Sequence, residues 1–126
     1  MTLAEILSDK KLSKLGDTYV NFVYSLALSR YVKEPVGKSV KSTILATALK
    51  ESGLRGLLPK RIGKHDQADA AEALIVYAWL HGLLDINECV QIIEKNIEKP
   101  NEAFTKLLLE IVERFDENIR IKKFKL

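Results

Sequence analysis

Apolar side chains fill almost every position from Ala70 to Leu80, in the run Ala70-Ala71-Glu72-Ala73-Leu74-Ile75-Val76-Tyr77-Ala78-Trp79-Leu80. A helix that is apolar all round belongs in the interior of a protein, so this stretch predicts a central helix. Thr18-Tyr19-Val20-Asn21-Phe22-Val23-Tyr24-Ser25-Leu26-Ala27-Leu28-Ser29 is too long and too apolar for a half-exposed strand. It predicts a second central helix, over about Lys14 to Tyr31, packed on the first.

Shorter amphipathic elements flank this pair. Thr2, with Glu5 three residues on, has the pattern of a capping box for a helix reaching about Ser8, with Leu3, Ile6 and Leu7 on one face. Pro35 and Gly37 break the chain, and a helical pattern resumes from Ser39 to Glu51 through Val40, Ile44, Leu45, Ala48 and Leu49, with Gly53 as its stop. Asp85 and Glu88 repeat the capping pattern for a helix to about Glu98, which turns Ile86, Cys89, Val90, Ile93 and Ile97 inward. Pro100 opens the last element, with Asn101 as its cap and Phe104, Leu107, Leu108, Ile111, Val112 and Phe115 on one face. With no convincing strand and no internal repeat, the fold class is all-α. Residues 1–126 form a single domain, two central apolar helices flanked by shorter ones.

Composition narrows the classes. Hydrophobic residues make up 47% of the 126 and charged residues 29%, a globular balance that supports a core without disulfides. The single Cys89 excludes an internal disulfide, and its place on an apolar stripe predicts a core thiol. No Cys/His cluster has zinc-ligand spacing, and Gly53, Gly56 and Gly63 do not match a phosphate-binding loop, so nucleotide hydrolysis is not expected. No segment approaches a membrane span or a secretory leader, so a cytoplasmic protein with no membrane partner is expected. A formal charge of +3 permits nucleic-acid binding without arguing for it.

The location of the charge is more informative. Asp69 and Glu72, three apart, project from one face of the Ala70–Leu80 helix near its start. An ionised Glu72 among Ala, Leu and Val loses hydration worth several kcal/mol unless a cation compensates or the face opens to water. The plainer alternative is that both acids favour the helix N-terminus electrostatically, by roughly 0.3–1 kcal/mol each. Asp66 is expected to cap this helix, with a role as a further ligand as the alternative. From Lys50 to Lys64 the chain is punctuated by glycine, and Lys50, Arg55, Lys60, Arg61 and Lys64 face one acid, Glu51. This loop is expected to bring positive charge beside Asp69, with Lys60, Arg61 and Lys64 as candidate phosphate contacts; a solvated connection is the bland alternative. His65 and His81 are expected as cap or surface residues. The basic tail Arg120–Leu126 leaves fraying, RNA contact and packing on a partner all open.

Taken together, Leu15-Gly16-Asp17-x-x-x-Asn21-Phe22 and Asp69-x-x-Glu72-Ala73-Leu74-Ile75 resemble the two halves of the ribonuclease III signature. The resemblance covers about residues 12–84, and the helices and basic tail of 85–126 suit the same endonuclease domain. Without a double-stranded-RNA-binding domain, the chain looks most like the short Mini-III branch. The resemblance implies a two-fold homodimer in which each subunit cuts one strand of double-stranded or structured RNA. It also implies Asp17, Asp69 and Glu72 as catalytic ligands of Mg2+, with Mn2+ as a substitute. Magnesium's preference for carboxylate oxygens agrees independently. One departure stands out: where the family commonly has Glu four residues before the first Asp, this chain has Ser13. That departure motivates the alternative of an RNA-binding or ribosome-associated scaffold that has kept the fold and lost the chemistry.

Overall fold

The computed structural model describes residues 1–124, and the side-chain surroundings of 1–120. Its helices are α1 (Leu3–Leu7), α2 (Lys10–Val32), α3 (Ser42–Glu51), α4 (Lys64–Leu80), α5 (Ile86–Lys95) and α6 (Pro100–Phe124), with a 3-10 turn over Leu54–Leu57. There is no strand among the described residues. No described helix is long and apolar enough to cross a membrane.

The predicted central pair is the centre of the molecule. Every residue from Ala70 to Val76 is buried, including Glu72, and α4 packs against α1, α2, α3 and α6. From α2 come Tyr19, Val20, Val23, Tyr24 and Ala27; from α6 come Phe104, Leu107, Leu108, Ile111 and Phe115. The two central helices come into backbone contact at Gly16. A Cβ placed there would sit 2.3 Å from the Glu72 carbonyl oxygen, so only glycine permits the approach. That contact puts the next residue, Asp17, beside Glu72.

Local chemistry sets the ends of the helices. The Thr2/Glu5 and Asp85/Glu88 capping boxes both form, and Gly53 follows α3 in the left-handed conformation at φ 82°. Cys89 is fully buried and accepts a hydrogen bond from the Tyr19 hydroxyl at 3.6 Å.

Four boundaries differ from the sequence reading. α2 begins at Lys10 rather than Lys14, because the Asp9 carboxylate accepts from the Lys11 and Leu12 amides and starts the helix a turn earlier. α3 begins at Ser42 rather than Ser39, since residues 36–40 are held extended along α2. α5 ends at Lys95, with tighter turns carrying the chain on to Pro100. α6 takes Pro100 as its first residue, so Asn101 lies inside the helix and is not its cap; a first-turn proline lacks only an amide hydrogen that the helix leaves unpaired in any case. The exposed Arg120 is part of α6, whereas the side chains of 121–126, which carry the rest of the basic tail, lie outside the described residues.

Candidate metal and phosphate cleft

At the crossing of α2 and α4 the surface opens into a cleft of about 340 Å³ lined by Lys10, Ser13, Lys14, Asp17, Ser42, His65, Asp69 and Glu72. All three predicted acids are therefore brought together. Asp17 arrives through the Gly16 contact, and Asp69 and Glu72 through their spacing of three on α4.

Their environments differ. Asp17 is exposed, Asp69 is half-buried, and Glu72 retains 5% of its surface. Burial pushes the Glu72 carboxyl up to about 8; a hydrogen bond to Asp17 and the negative charges of Asp17 and Asp69 add to the shift. Among the described residues no cation pairs with Asp17 or Glu72. Asp69 instead faces the Lys10 ammonium at 3.4 Å, and Lys10 also reaches Asp66 at 2.9 Å.

Asp66 is thus not the cap of α4. The cap is Gly63, with no side-chain bond, and Asp66 spends its carboxylate on Lys10. Ser13, one turn before Asp17, is buried and donates its hydroxyl to the Lys10 carbonyl at 3.0 Å. Asn21, one turn after Asp17, donates its amide to the Asp17 carboxylate at 3.3 Å.

The basic loop stands elsewhere. Lys60, Arg61 and Lys64 are exposed, and none of them lines the cleft. The positive charge beside Asp69 comes from Lys10, not from this loop. Arg55 is occupied within the loop, donating to the carbonyls of Pro59 and Lys60 at 2.8 Å each, and holds it folded. His65 is exposed at the cleft wall with Nδ1 3.4 Å from the Ser42 hydroxyl; His81 ends α4 and stacks on Tyr77.

Three carboxylates on one cleft are hard oxygen donors of the kind that suits Mg2+ or Mn2+. As the side chains stand, no three His, Cys, Asp or Glu groups among the described residues are gathered tightly enough to hold an ion. The donor chemistry fits a divalent cation, and one of the three acids, Asp69, faces the Lys10 ammonium. Sequence reasoning did not single out Lys10, Lys14, Ser42 or His65 as members of the site. Lys10 and Lys14 were legible as neighbours of Ser13, whereas Ser42 and His65 join only through the packing of α3 on α4.

The ribonuclease III family model matches residues 10–121, which includes every residue of this cleft. No curated protein matches the chain.

Proposed function

Because the chain belongs to the ribonuclease III family, we propose that it is a metal-dependent endoribonuclease that hydrolyses phosphodiester bonds in double-stranded or structured RNA. The observation carrying this reading is the convergence of Asp17, Asp69 and Glu72 on one cleft at the Gly16 crossing, with Lys10 and Lys14 on its wall. A scaffold would gain nothing from three acids that repel phosphate.

Asp17, Asp69 and Glu72 are the residues that would hold Mg2+ or Mn2+. Such an ion, when bound, lowers the pKa of a water for attack on phosphorus and neutralises charge on the departing oxygen. The chain's own residues set the conditions for this. To serve as a ligand Glu72 would have to give up its proton, so loading would improve as pH rises toward about 8. Lys10 would then release Asp69 and, with Lys14, be free to meet the phosphate backbone. Ser13 supplies no charge in place of the fourth carboxylate, so three acids carry the binding. Lys60, Arg61 and Lys64 extend the basic surface away from the cleft and contribute affinity rather than sequence choice, because duplex RNA is recognised mainly by shape, phosphate and 2′-hydroxyl.

The active form is a homodimer. Leu15 and Phe22 lie exposed a turn to either side of Tyr19, whose ring stacks on the exposed Trp79 at 5.0 Å. These residues make an apolar surface on the two central helices, of the kind a symmetric partner covers.

One observation favours the alternative of a non-cleaving RNA-binding scaffold: Lys10 neutralises part of the acidic set in a chain that already lacks the fourth acid. Incubation with a duplex RNA separates the two. Mg2+-dependent cleavage supports the enzyme, and salt-sensitive binding without cleavage supports the scaffold.

A further inference from the structure

Residues 36–40 run extended along α2 in a regular ladder. The Ser29 hydroxyl donates to the Val36 carbonyl at 3.2 Å and accepts from its amide at 2.9 Å. The Ser25 hydroxyl does the same with Lys38, at 3.0 and 2.9 Å. Asn21 accepts from the Val40 amide at 2.8 Å. The rungs match because four helical residues rise about 6 Å and two extended residues advance about 6.6 Å. Four more residues back along α2 lies Asp17, and two residues beyond Val40 lies Ser42, the first residue of α3; both line the cleft.

Asn21 differs from the two serine rungs. Val40 N–H can only donate, so it holds the Asn21 amide with its oxygen toward the strap and its NH2 toward Asp17, 3.3 Å away. Asp69 has a lysine and Glu72 has burial to fix it. Asp17 is exposed and has neither; the Glu72 carboxyl and the Asn21 amide are its hydrogen-bond partners. A neutral amide donor sets the direction of a carboxylate without cancelling the charge that a divalent cation needs, which a lysine at the same place would do.

We propose that Asn21 is a positioning residue of the site: anchored by the Val40 amide, it holds the Asp17 carboxylate in its ligand orientation and ties that orientation to the 36–40 strap. This rests on the metal-nuclease reading above.

The test is Asn21→Ser, which converts the rung to the type already present at Ser25 and Ser29 and so keeps the strap while removing the donor to Asp17. Ser25→Ala serves as the strap control. Mg2+ binding is measured by calorimetry, melting in chelator, and kcat and KM on one duplex RNA. Losing an outer-shell hydrogen bond to a metal ligand costs on the order of 10-fold in affinity or activity. Asn21→Ser should therefore melt near wild type, bind Mg2+ roughly 10-fold more weakly and lose kcat with KM unchanged. Ser25→Ala should melt lower and bind Mg2+ as wild type does. An Asn21→Ser protein with wild-type Mg2+ affinity overturns the proposal, as does Ser25→Ala losing as much Mg2+ affinity as Asn21→Ser. A wild-type protein that binds no Mg2+ is a different failure, since it overturns the metal-nuclease reading itself.

Discussion

Replacing Glu72 by Gln should stabilise the metal-free protein, by an amount that depends on pH in a defined way. The folded chain keeps the Glu72 proton up to about 8, whereas a free glutamate releases it near 4.5. Between these values the folded state binds more protons than the unfolded one, so stability falls as pH rises through the window and levels off above it. At about 1.4 kcal/mol per unit, the full penalty at pH 7 is roughly 3 kcal/mol. The side chain is buried by area, but its carboxyl lines an open cleft, and water screening reduces the expected penalty to about 1–2 kcal/mol. Glutamine removes the charge, keeps the shape, and its amide can donate to Asp17 as the protonated carboxyl does. Melting both proteins in chelator at pH 4.5, 6, 7 and 8 measures the difference directly. Lys10, Lys14, His65, Asp17 and Asp69 are common to both proteins and largely drop out of it. Near pH 4.5 the two should almost coincide. At pH 7 to 8 the variant should melt higher by roughly 4–8 °C. A difference that does not grow with pH, or a variant that melts lower at pH 7, would show that Glu72 is ionised and held by a cation, and would refute the reasoning.

Three further outcomes follow from the same geometry. Gly16→Ala places a methyl group 2.3 Å from the Glu72 carbonyl oxygen and should cost about 3 kcal/mol in urea unfolding, the upper range for overpacking; a loss under about 1 kcal/mol would mean the crossing is looser than described. Lys10→Met should tighten Mg2+ binding about 1.4- to 5-fold, the worth of an exposed ion pair, with little change in melting; weaker binding would show that Lys10 supports the site rather than competing for Asp69. Changing Lys60, Arg61 and Lys64 together to Ala should weaken binding to unrelated duplexes alike and lower the salt slope by up to about 2–3, and an unchanged slope would return the loop to a solvated connection.

The central helices were legible because their signal is local. An apolar run on α4 broken only by Glu72 and a nearly unbroken one on α2 fix both helix type and depth. The missed start of α2 lies where Lys10 and Lys11 break the apolar pattern and only the Asp9 cap marks the turn. The acids of the site were readable as motif halves, and the structure supplies the reason they meet: Gly16 allows backbone contact at Glu72, and Asp17 follows it. The Lys10 pairing was not readable, since 56 and 59 residues separate it from Asp66 and Asp69. Asp66 was misassigned as a cap for the same reason; a local role is visible in sequence, and a more distant partner that outcompetes it is not. Asn21 stood in the motif without a role until the strap fixed the direction of its amide.

Metal-dependent cleavage of duplex RNA at this cleft is tested by one incubation of the purified chain with double-stranded RNA, single-stranded RNA and duplex DNA, each with Mg2+ and with chelator, beside Glu72→Gln. Cutting should be confined to the double-stranded RNA, to Mg2+, and to the wild-type chain. Cleavage that persists in chelator or in Glu72→Gln, or intact duplex RNA with the wild-type protein and Mg2+, would contradict it.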